Sequence, residues 1–422
     1  MRDIIALVMA GGKGERLYPL TLDRSKPAVP FGGIYRIIDI TLSNCINSNI
    51  YKIIILPQYK AQSLVEHLEA GWNIFNYALG HYMKVVPPQM RVGKDWYRGT
   101  ADSVRQNLYL IEREAPEYLL ILSGDHVYKM DYGHFKAYHK EKDADITISV
   151  IEVPTSTAHR FGIVEVAEDY RITGFKEKPA SAEPMPGDSR YVLASMGVYI
   201  FKARVLIDLL KSIDKDDFGR DIIPMALDKY SLYAFPYKKE NRIKDFVYTI
   251  TEDGSRVRVL EPCIPDSSYW RDVGDLDAYW NANMDLTGVD PNFNLYGTKW
   301  PLRTFQMQYP PAKTIFRDTA SNRTGMALDS VVSHGSIISG GIVKNSVLSY
   351  NVFVRSWSEV RESVIMADVE IGRHCRIMKA IIDKANRIPP GTEIGYNPEE
   401  DRKRFVVTPR GIVVVPKRTF HP

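Results

Sequence analysis

The chain has 422 residues, 45% of them apolar and 25% charged, an ordinary balance for a globular protein and too long for one hydrophobic core. A net charge of +4, spread without long basic runs, is too small to imply nucleic-acid binding and merely suits anionic small molecules. Three cysteines lacking C-x-x-C spacing exclude a disulfide framework or zinc cluster, and no apolar run nears the ~20 residues of a membrane span.

The first predicted element is a buried strand, Ile4–Met9, ending in Gly11-Gly12-Lys13-Gly14. With a strand starting at residue 4, no leader peptide is expected, and the protein reads as cytoplasmic. Glycines at a strand exit permit positive φ and bring N–H groups close to a phosphate. Arg16 and Lys26 add two cations within one loop's reach, so Met9–Phe31 reads as a polyphosphate cradle. Spacing excludes two familiar alternatives. In a dinucleotide loop G-x-G-x-x-G opens a helix, whereas here Glu15-Arg16-Leu17 follow Gly14 and Pro19 interrupts. In a Walker A loop the lysine follows the last glycine, whereas Lys13 lies between two.

From there to about Thr287, strand candidates Ile53–Leu56, Tyr118–Leu122, Ile146–Ile151 and Met196–Phe201 alternate with helix candidates Ala61–Ala70, Ala101–Glu114, Tyr132–Lys142 and Lys202–Leu210. This pattern predicts an α/β domain over residues 1–287, with a mainly parallel mixed sheet and ligands at the strands' carboxyl ends. Residues 288–313, with Pro291, Pro301, Pro310 and Pro311, read as an ordered linker. In residues 314–422 a short period takes over. Leu348, Val354 and Val360 are six apart, as are Ile365, Ile371 and Ile377, and Ile382, Ile388 and Ile394, and each triplet repeats after 17 residues. Six-residue steps in threes predict a triangular parallel β-helix, with Val332 and Ile338 in an earlier, less regular coil. Its flat faces and end coils suit oligomerisation.

The glycine loop, PAVPFGG-x-YRIIDITLSNCINS, WYRGTADS, SGDHVYKMDY, FKEKP, ASMGVYIF and YWRDVGDLDAYW together resemble the glucose-1-phosphate adenylyltransferases over nearly the whole length. The resemblance implies a Rossmann-like nucleotidyltransferase domain followed by a left-handed hexapeptide-repeat β-helix. It implies formation of ADP-glucose and pyrophosphate from ATP and glucose 1-phosphate for glycogen synthesis, with Mg²⁺ as cofactor. It also implies a homotetramer controlled by phosphorylated metabolites, with no nucleic-acid or membrane partner.

The residues suit such chemistry on their own terms. A sugar phosphate, with a second pKa of ~6, is mostly ionised at neutral pH and needs no general base. Two mutually repelling anions must instead be held in line while charge on the departing pyrophosphate is neutralised. Asp125, emerging after the strand Tyr118–Leu122, has the hard oxygens Mg²⁺ takes and matches the family's metal aspartate. As a bare residue it is equally a turn or cap. By resemblance, Asp272 is the second metal carboxylate and Arg16 and Lys26 supply catalytic charge. Gly11, Gly12 and Gly14 hold the ATP phosphates, and Gln89 reads adenine with an amide that both donates and accepts. Arg98, Gly99 and Thr100 precede a helix whose free N–H groups suit a phosphate neighbour. Tyr97, Gly162, Glu177, Lys178 and Ser195 are the implied glucose 1-phosphate contacts, with Glu177-Lys178-Pro179 following a strand and a turn-like Gly174. Gln58 and Trp96 match positions that connect regulatory and substrate sites, and otherwise read as packing residues. His334 and His374 lie in or beside β-helix coils without an acyltransferase context, so packing is their expected role.

Three positions depart from the family pattern. Glu15 and Ser25 stand where Thr and Ala are common, so Glu15 must point away from the triphosphate or meet a cation. Ile34 stands where members activated by fructose 1,6-bisphosphate carry a lysine, leaving Arg36 and Lys417-Arg418 for some other anionic effector. Two further readings remain open. One is a related enzyme using UTP or dTTP. The other is a regulatory subunit without catalysis, which predicts loss of Arg16, Lys26, Asp125 or Lys178; all four are present.

Overall fold

The computed structural model describes residues 1–89, 96–318, 320–321 and 323–420. The strand Ile4–Ala10, almost wholly apolar and buried on both faces, is central to a nine-stranded sheet, as a continuous hydrophobic run demands. It pairs in parallel with Lys52–Pro57 and with Tyr118–Ser123. Tyr82–Val85 extends the first side, again in parallel. On the other side the twelve-residue strand Tyr191–Lys202 runs antiparallel to Tyr118–Ser123, longer than the predicted Met196–Phe201. It also pairs with Ile146–Pro154 and, at Leu193 and Ala194, with Gly162–Val166. Ile172–Glu177 and Leu232–Pro236 complete the sheet. Alternate residues feed two cores: Ile5 and Leu7 on one face, Ile4, Ala6 and Val8 on the other.

Two local expectations fail for physical reasons. The single helix Ala101–Glu114 is two, Thr100–Arg105 and Leu108–Glu114. The Asn107 side-chain amide donates to the Ser103 carbonyl at 2.8 Å, taking the acceptor a continuing helix would give to a backbone N–H. Gly174 is not in a turn. It lies inside Ile172–Glu177 at a register shift, where an added Cβ would sit 2.3 Å from the Glu165 carboxylate.

The period of 17 becomes three parallel sheets enclosing an aliphatic column. Leu348, Ile365 and Ile382 stack in register, as do Val354, Ile371 and Ile388, and Val360, Ile377 and Ile394. All nine are buried. Val332 and Ile338 sit beneath Leu348 and Val354, so the earlier coil joins the same prism, 16 residues below rather than 17. The architecture is consistent with a left-handed β-helix. The last rung, Val413–Val415, is capped by the antiparallel strand Val406–Val407.

One face of the prism is not free. Val364, Met366, Ile381, Ile412 and Val414 share a core with Leu17, Leu20, Val29 and Phe31 of the amino-terminal loop and with Tyr279 of the helix Leu276–Met284. Among the described residues no helix is long and apolar enough to cross a membrane.

Candidate active site

Three separate segments meet at Lys26. Asp125 follows the central strand Tyr118–Ser123. The short strand His126–Tyr128 then pairs antiparallel with Trp270–Asp272, placing Asp272 opposite His126 and so beside Asp125. Lys26, on a tight 3₁₀ turn of the amino-terminal loop, reaches both carboxylates: its Nζ is 2.8 Å from Asp125 Oδ2 and 3.3 Å from Asp272 Oδ1. Burial alone would push the Lys26 pKa down, but the two carboxylates outweigh it and hold the ammonium above its ordinary range. Burial likewise opposes ionisation of Asp125, yet Lys26, His126 and the donating Ser123 hydroxyl keep its carboxyl well below the usual carboxylate range. His126 donates from Nδ1 to the Met196 carbonyl at 3.1 Å. Its Nε2 thereby faces Asp125 and Asp272, at 3.6 and 3.7 Å.

Two cavities flank this cluster. One, of about 300 Å³, is lined by Gly11, Gly12, Gln58, Tyr97, Gly99 and Thr100; the other, of about 240 Å³, by Arg16, Gly162, Glu177, Lys178, Ser195 and Asp272. Lys26, Ser123 and Asp125 line both and form the wall between them.

The glycine loop does at the first cavity what its composition requires. Gly14 is left-handed at φ 65°, and a Cβ there would meet Thr21 Cγ2 at 2.9 Å and Lys26 Cβ at 3.1 Å, so only glycine lets the loop pack on Lys26. Among the described residues the N–H groups of Gly12, Lys13 and Gly14 meet no acceptor. Arg16 is exposed and has no ion-pair partner there either. Glu15 points outward, 80% exposed, with Lys13 its one cation among the described residues, at 3.9 Å.

At the second cavity, the register of Tyr191–Lys202 shifts between Ser195 and Tyr199 around Gly197, at φ 67°, turning this stretch into the cleft. The Glu177 carboxylate is crowded by backbone on two sides. A Cβ on Gly162 or on Gly219 would lie 2.8 Å from its Oε2. Lys178, itself at φ 46°, carries its ammonium 3.2 Å from Glu177 Oε1 and is 61% exposed. The Ser195 hydroxyl donates to Tyr199 Oη at 3.2 Å.

Other placements were not readable from the chain. At the amino end of the helix Thr100–Arg105 part of the expected donor set is taken, because the Asp216 carbonyl accepts from Ala101 and Asp102 at 2.8 and 3.2 Å, while among the described residues the Gly99 and Thr100 N–H groups meet no acceptor. That carbonyl also requires Gly99, whose Cβ would come within 2.3 Å of it. Arg98 is drawn to the carboxylates of Asp102, Asp214 and Asp216. Tyr97 lies on the first cavity rather than the second, its hydroxyl donating to Val86 O at 3.0 Å and accepting from Asn107 at 2.8 Å. Gln58 donates its amide to the Tyr97 carbonyl. Trp96 is 56% exposed and lines neither cavity, and Gln89 lies on an exposed loop just before undescribed residues. His126, Arg160 and Tyr199 line the second cavity and were not singled out. His126, inside SGDHVYKMDY, and Tyr199, inside ASMGVYIF, had motif signals to find them by; Arg160 had none.

Among the described residues no group of three or more His, Cys, Asp or Glu forms a metal cage. Asp125 and Asp272 nevertheless offer two adjacent hard-oxygen carboxylates at the wall. That donor set fits Mg²⁺, which takes one or two protein carboxylates and completes its shell with water and substrate phosphates.

The nucleotidyl transferase family model matches residues 5–288, and that of the GlmU-like C-terminal hexapeptide family matches residues 310–415. The glucose-1-phosphate adenylyltransferase of Methylococcus capsulatus is 49% identical over 419 residues, covering 98% of this chain and 93% of its own. That of Koribacter versatilis is 49% identical over 422 residues, covering 98% and 95%. Glucose-1-phosphate adenylyltransferase 2 of Vibrio cholerae is 44% identical over 425 residues, covering 99% and 98%.

Proposed function

The chain belongs to the glucose-1-phosphate adenylyltransferases, enzymes that make ADP-glucose from ATP and glucose 1-phosphate, and we propose that it joins the two substrates across the wall of Lys26, Ser123 and Asp125. The observation that carries this reading is the pair of cavities meeting at one buried cation. A phosphate oxygen of glucose 1-phosphate attacks the α-phosphorus of ATP, the bond to the β-phosphate breaks, and pyrophosphate leaves with the electron pair. No proton has to move, so the chain's task is positioning and charge compensation.

ATP occupies the first cavity. The unpaired N–H groups of Gly12 and Gly14 and the backbone of Gly11 approach its phosphates, Gln89 reads adenine, and Arg98, Gly99 and Thr100 border the nucleotide. Arg16, which among the described residues pairs with no carboxylate, reaches across the wall from the second cavity to the triphosphate. Glucose 1-phosphate occupies the second cavity, with Glu177 on its hydroxyls, Lys178 on its phosphate, Gly162 and Ser195 beneath the ring, and Tyr97 bracing the wall from the nucleotide side. Lys26 lies between the two anions and offsets their repulsion in line. Mg²⁺, held by Asp125 and Asp272, would neutralise phosphate charge when bound.

The same reading includes a cytoplasmic homotetramer serving glycogen synthesis, with Gln58 and Trp96 relaying effector signals. Phosphorylated effectors belong to the interdomain cavity of about 200 Å³ lined by Ile34, Arg36 and Lys384. An assay of pyrophosphate release with glucose 1-phosphate and either ATP or UTP tests the assignment. ATP turnover is expected, and preference for UTP sinks it. Strong activation by fructose 1,6-bisphosphate would overturn the inference drawn from Ile34.

A further inference from the structure

Lys26 is buried at the wall, but the loop that carries it, Gly11 to Val29, contains only two short 3₁₀ turns. Something outside the loop must fix it. Two residues before Lys26, Arg24 points away from the cleft into the prism. Its Nη2 lies 2.9 Å from both carboxylate oxygens of Asp383, just after the rung Ala380–Ile382. The two side chains are 6% and 2% exposed. Arg24 also donates weakly to Met366 Sδ at 3.8 Å, on the neighbouring rung. Asp383 Oδ1 is held in turn by the Lys384 N–H at 2.7 Å. Asp23 pairs with Lys417 at 3.4 Å, a more exposed contact on the same side.

A buried pair of this kind is weak evidence for net stability, since desolvation offsets much of its attraction; its attested use is to specify geometry. The prism is a stack whose every rung is in register, so Asp383 is a rigid point. The backbone from Arg24 to Lys26 spans three residues, and the buried Ser25 hydroxyl between them has no partner among the described residues. Among the described residues no side-chain bond therefore intervenes between the Asp383 anchor and Lys26. The Lys26 Cβ rests on Gly14, whose carbonyl accepts from Thr21 at 2.9 Å, so a shift at Arg24 passes to the glycine loop as well.

We propose that Arg24 and Asp383 are positioning residues for the transfer reaction, through which the β-helix holds Lys26 against Asp125 and Asp272. The proposal rests on the role given to Lys26 above. Substrates would still bind in a chain lacking the pair, but Lys26 would no longer sit in line with both anions. The loss therefore falls on kcat rather than on either KM.

The test uses full-length variants assayed for pyrophosphate release at saturating Mg²⁺, with thermal unfolding measured alongside. Arg24→Met/Asp383→Leu removes both charges and keeps apolar bulk, which spares the fold the unpaired charge a single change would leave. It is expected to unfold within a few degrees of the unaltered protein while kcat drops roughly 10- to 100-fold, with KM for ATP and for glucose 1-phosphate changed less than about three-fold, the range that misplacing a positioned group costs. Arg24→Lys, which keeps the charge but gives up the second contact to Met366, should recover part of that kcat. A folded double variant with unaltered kcat overturns the proposal, and so does a loss that appears wholly in KM. Lys26→Met separates the two levels. If it leaves kcat intact, the role of Lys26 fails. If it abolishes turnover while the double variant is fully active, only the anchor fails.

Discussion

In the prism, Ile371 has Val354 below it and Ile388 above it, each 17 residues away along the chain. In the cleft, Lys26 has Asp125 and Asp272, the second 246 residues away. The first environment is built from like meeting like at a fixed stride, and any aliphatic side chain of the right volume satisfies it. The second is built from unlike charges brought in by unrelated segments, and each depends on the identity of the others. Regular burial tolerates substitution and stores stability, whereas the irregular charged site stores reactivity and fails residue by residue.

If that contrast is sound, truncation in the column should cost the fold and spare the chemistry. Ile371→Ala, on a sheet away from the catalytic domain, is expected to destabilise by about 2–5 kcal/mol, from lost transfer energy and the cavity left behind. Thermal unfolding would register this, and kcat below the transition should not change. A fall in kcat without a fall in Tm would break the contrast. The converse is Asp125→Asn, expected to lower pyrophosphate release by at least ~10²-fold, comparable to removing one strong transition-state stabiliser, when assayed below the variant's own unfolding transition, which falls because Lys26 loses one of its two partners. Full activity in that variant would remove Asp125 from the site. Gly162→Ala sharpens the picture within the cleft. Its new Cβ would lie 2.7 Å from Phe175 Cζ and 2.8 Å from Glu177 Oε2, so KM for glucose 1-phosphate should rise about ten-fold, the scale of ~1.4 kcal/mol lost from binding, while KM for ATP stays constant. An equal rise in both would show that Glu177 does not belong to one substrate alone.

The smallest expected effect lies at the seam between the two regions. Burial, and then the neighbouring Arg24 and Arg36, press the Lys384 pKa down to about 8. Its charge therefore opposes folding at every pH below that value. As pH rises from about 8 towards the ordinary lysine range the folded state binds fewer protons than the unfolded one, so the penalty fades. Lys384→Met should raise Tm by a few degrees at pH 7 and progressively less above pH 8. A gain independent of pH would mean that packing, not charge, is the cause.

The two regions were also unequally legible. The column was readable to the residue, because β-helix neighbours recur at one interval and need no knowledge of the rest of the chain. The glycine loop, Lys26 and Asp125 stood out through local composition, and Glu177, Lys178, Gly162 and Ser195 through shared motifs. What sequence could not reveal were events decided by distant partners. Two of the donors at the helix Thr100–Arg105, those of Ala101 and Asp102, looked available until the Asp216 carbonyl, more than a hundred residues on, took them. Tyr97 looked like a sugar contact until Val86 and Asn107 claimed its hydroxyl. His126 stood inside the SGDHVYKMDY motif without a role until strand pairing set it opposite Asp272. Arg24 gave no signal at all, since its partner lies 359 positions away.

The 16-residue step from Val332 to Leu348, against 17 in the coils above it, carries a consequence for how such a chain can change by insertion and deletion. A residue lost at a corner shortens a turn and leaves every rung facing inward. The same loss within a rung would swap its inner and outer faces and expel an isoleucine into water. Length variation in this last quarter of the chain is therefore confined to the corners or to whole coils, and its tolerance is set by geometry rather than by function.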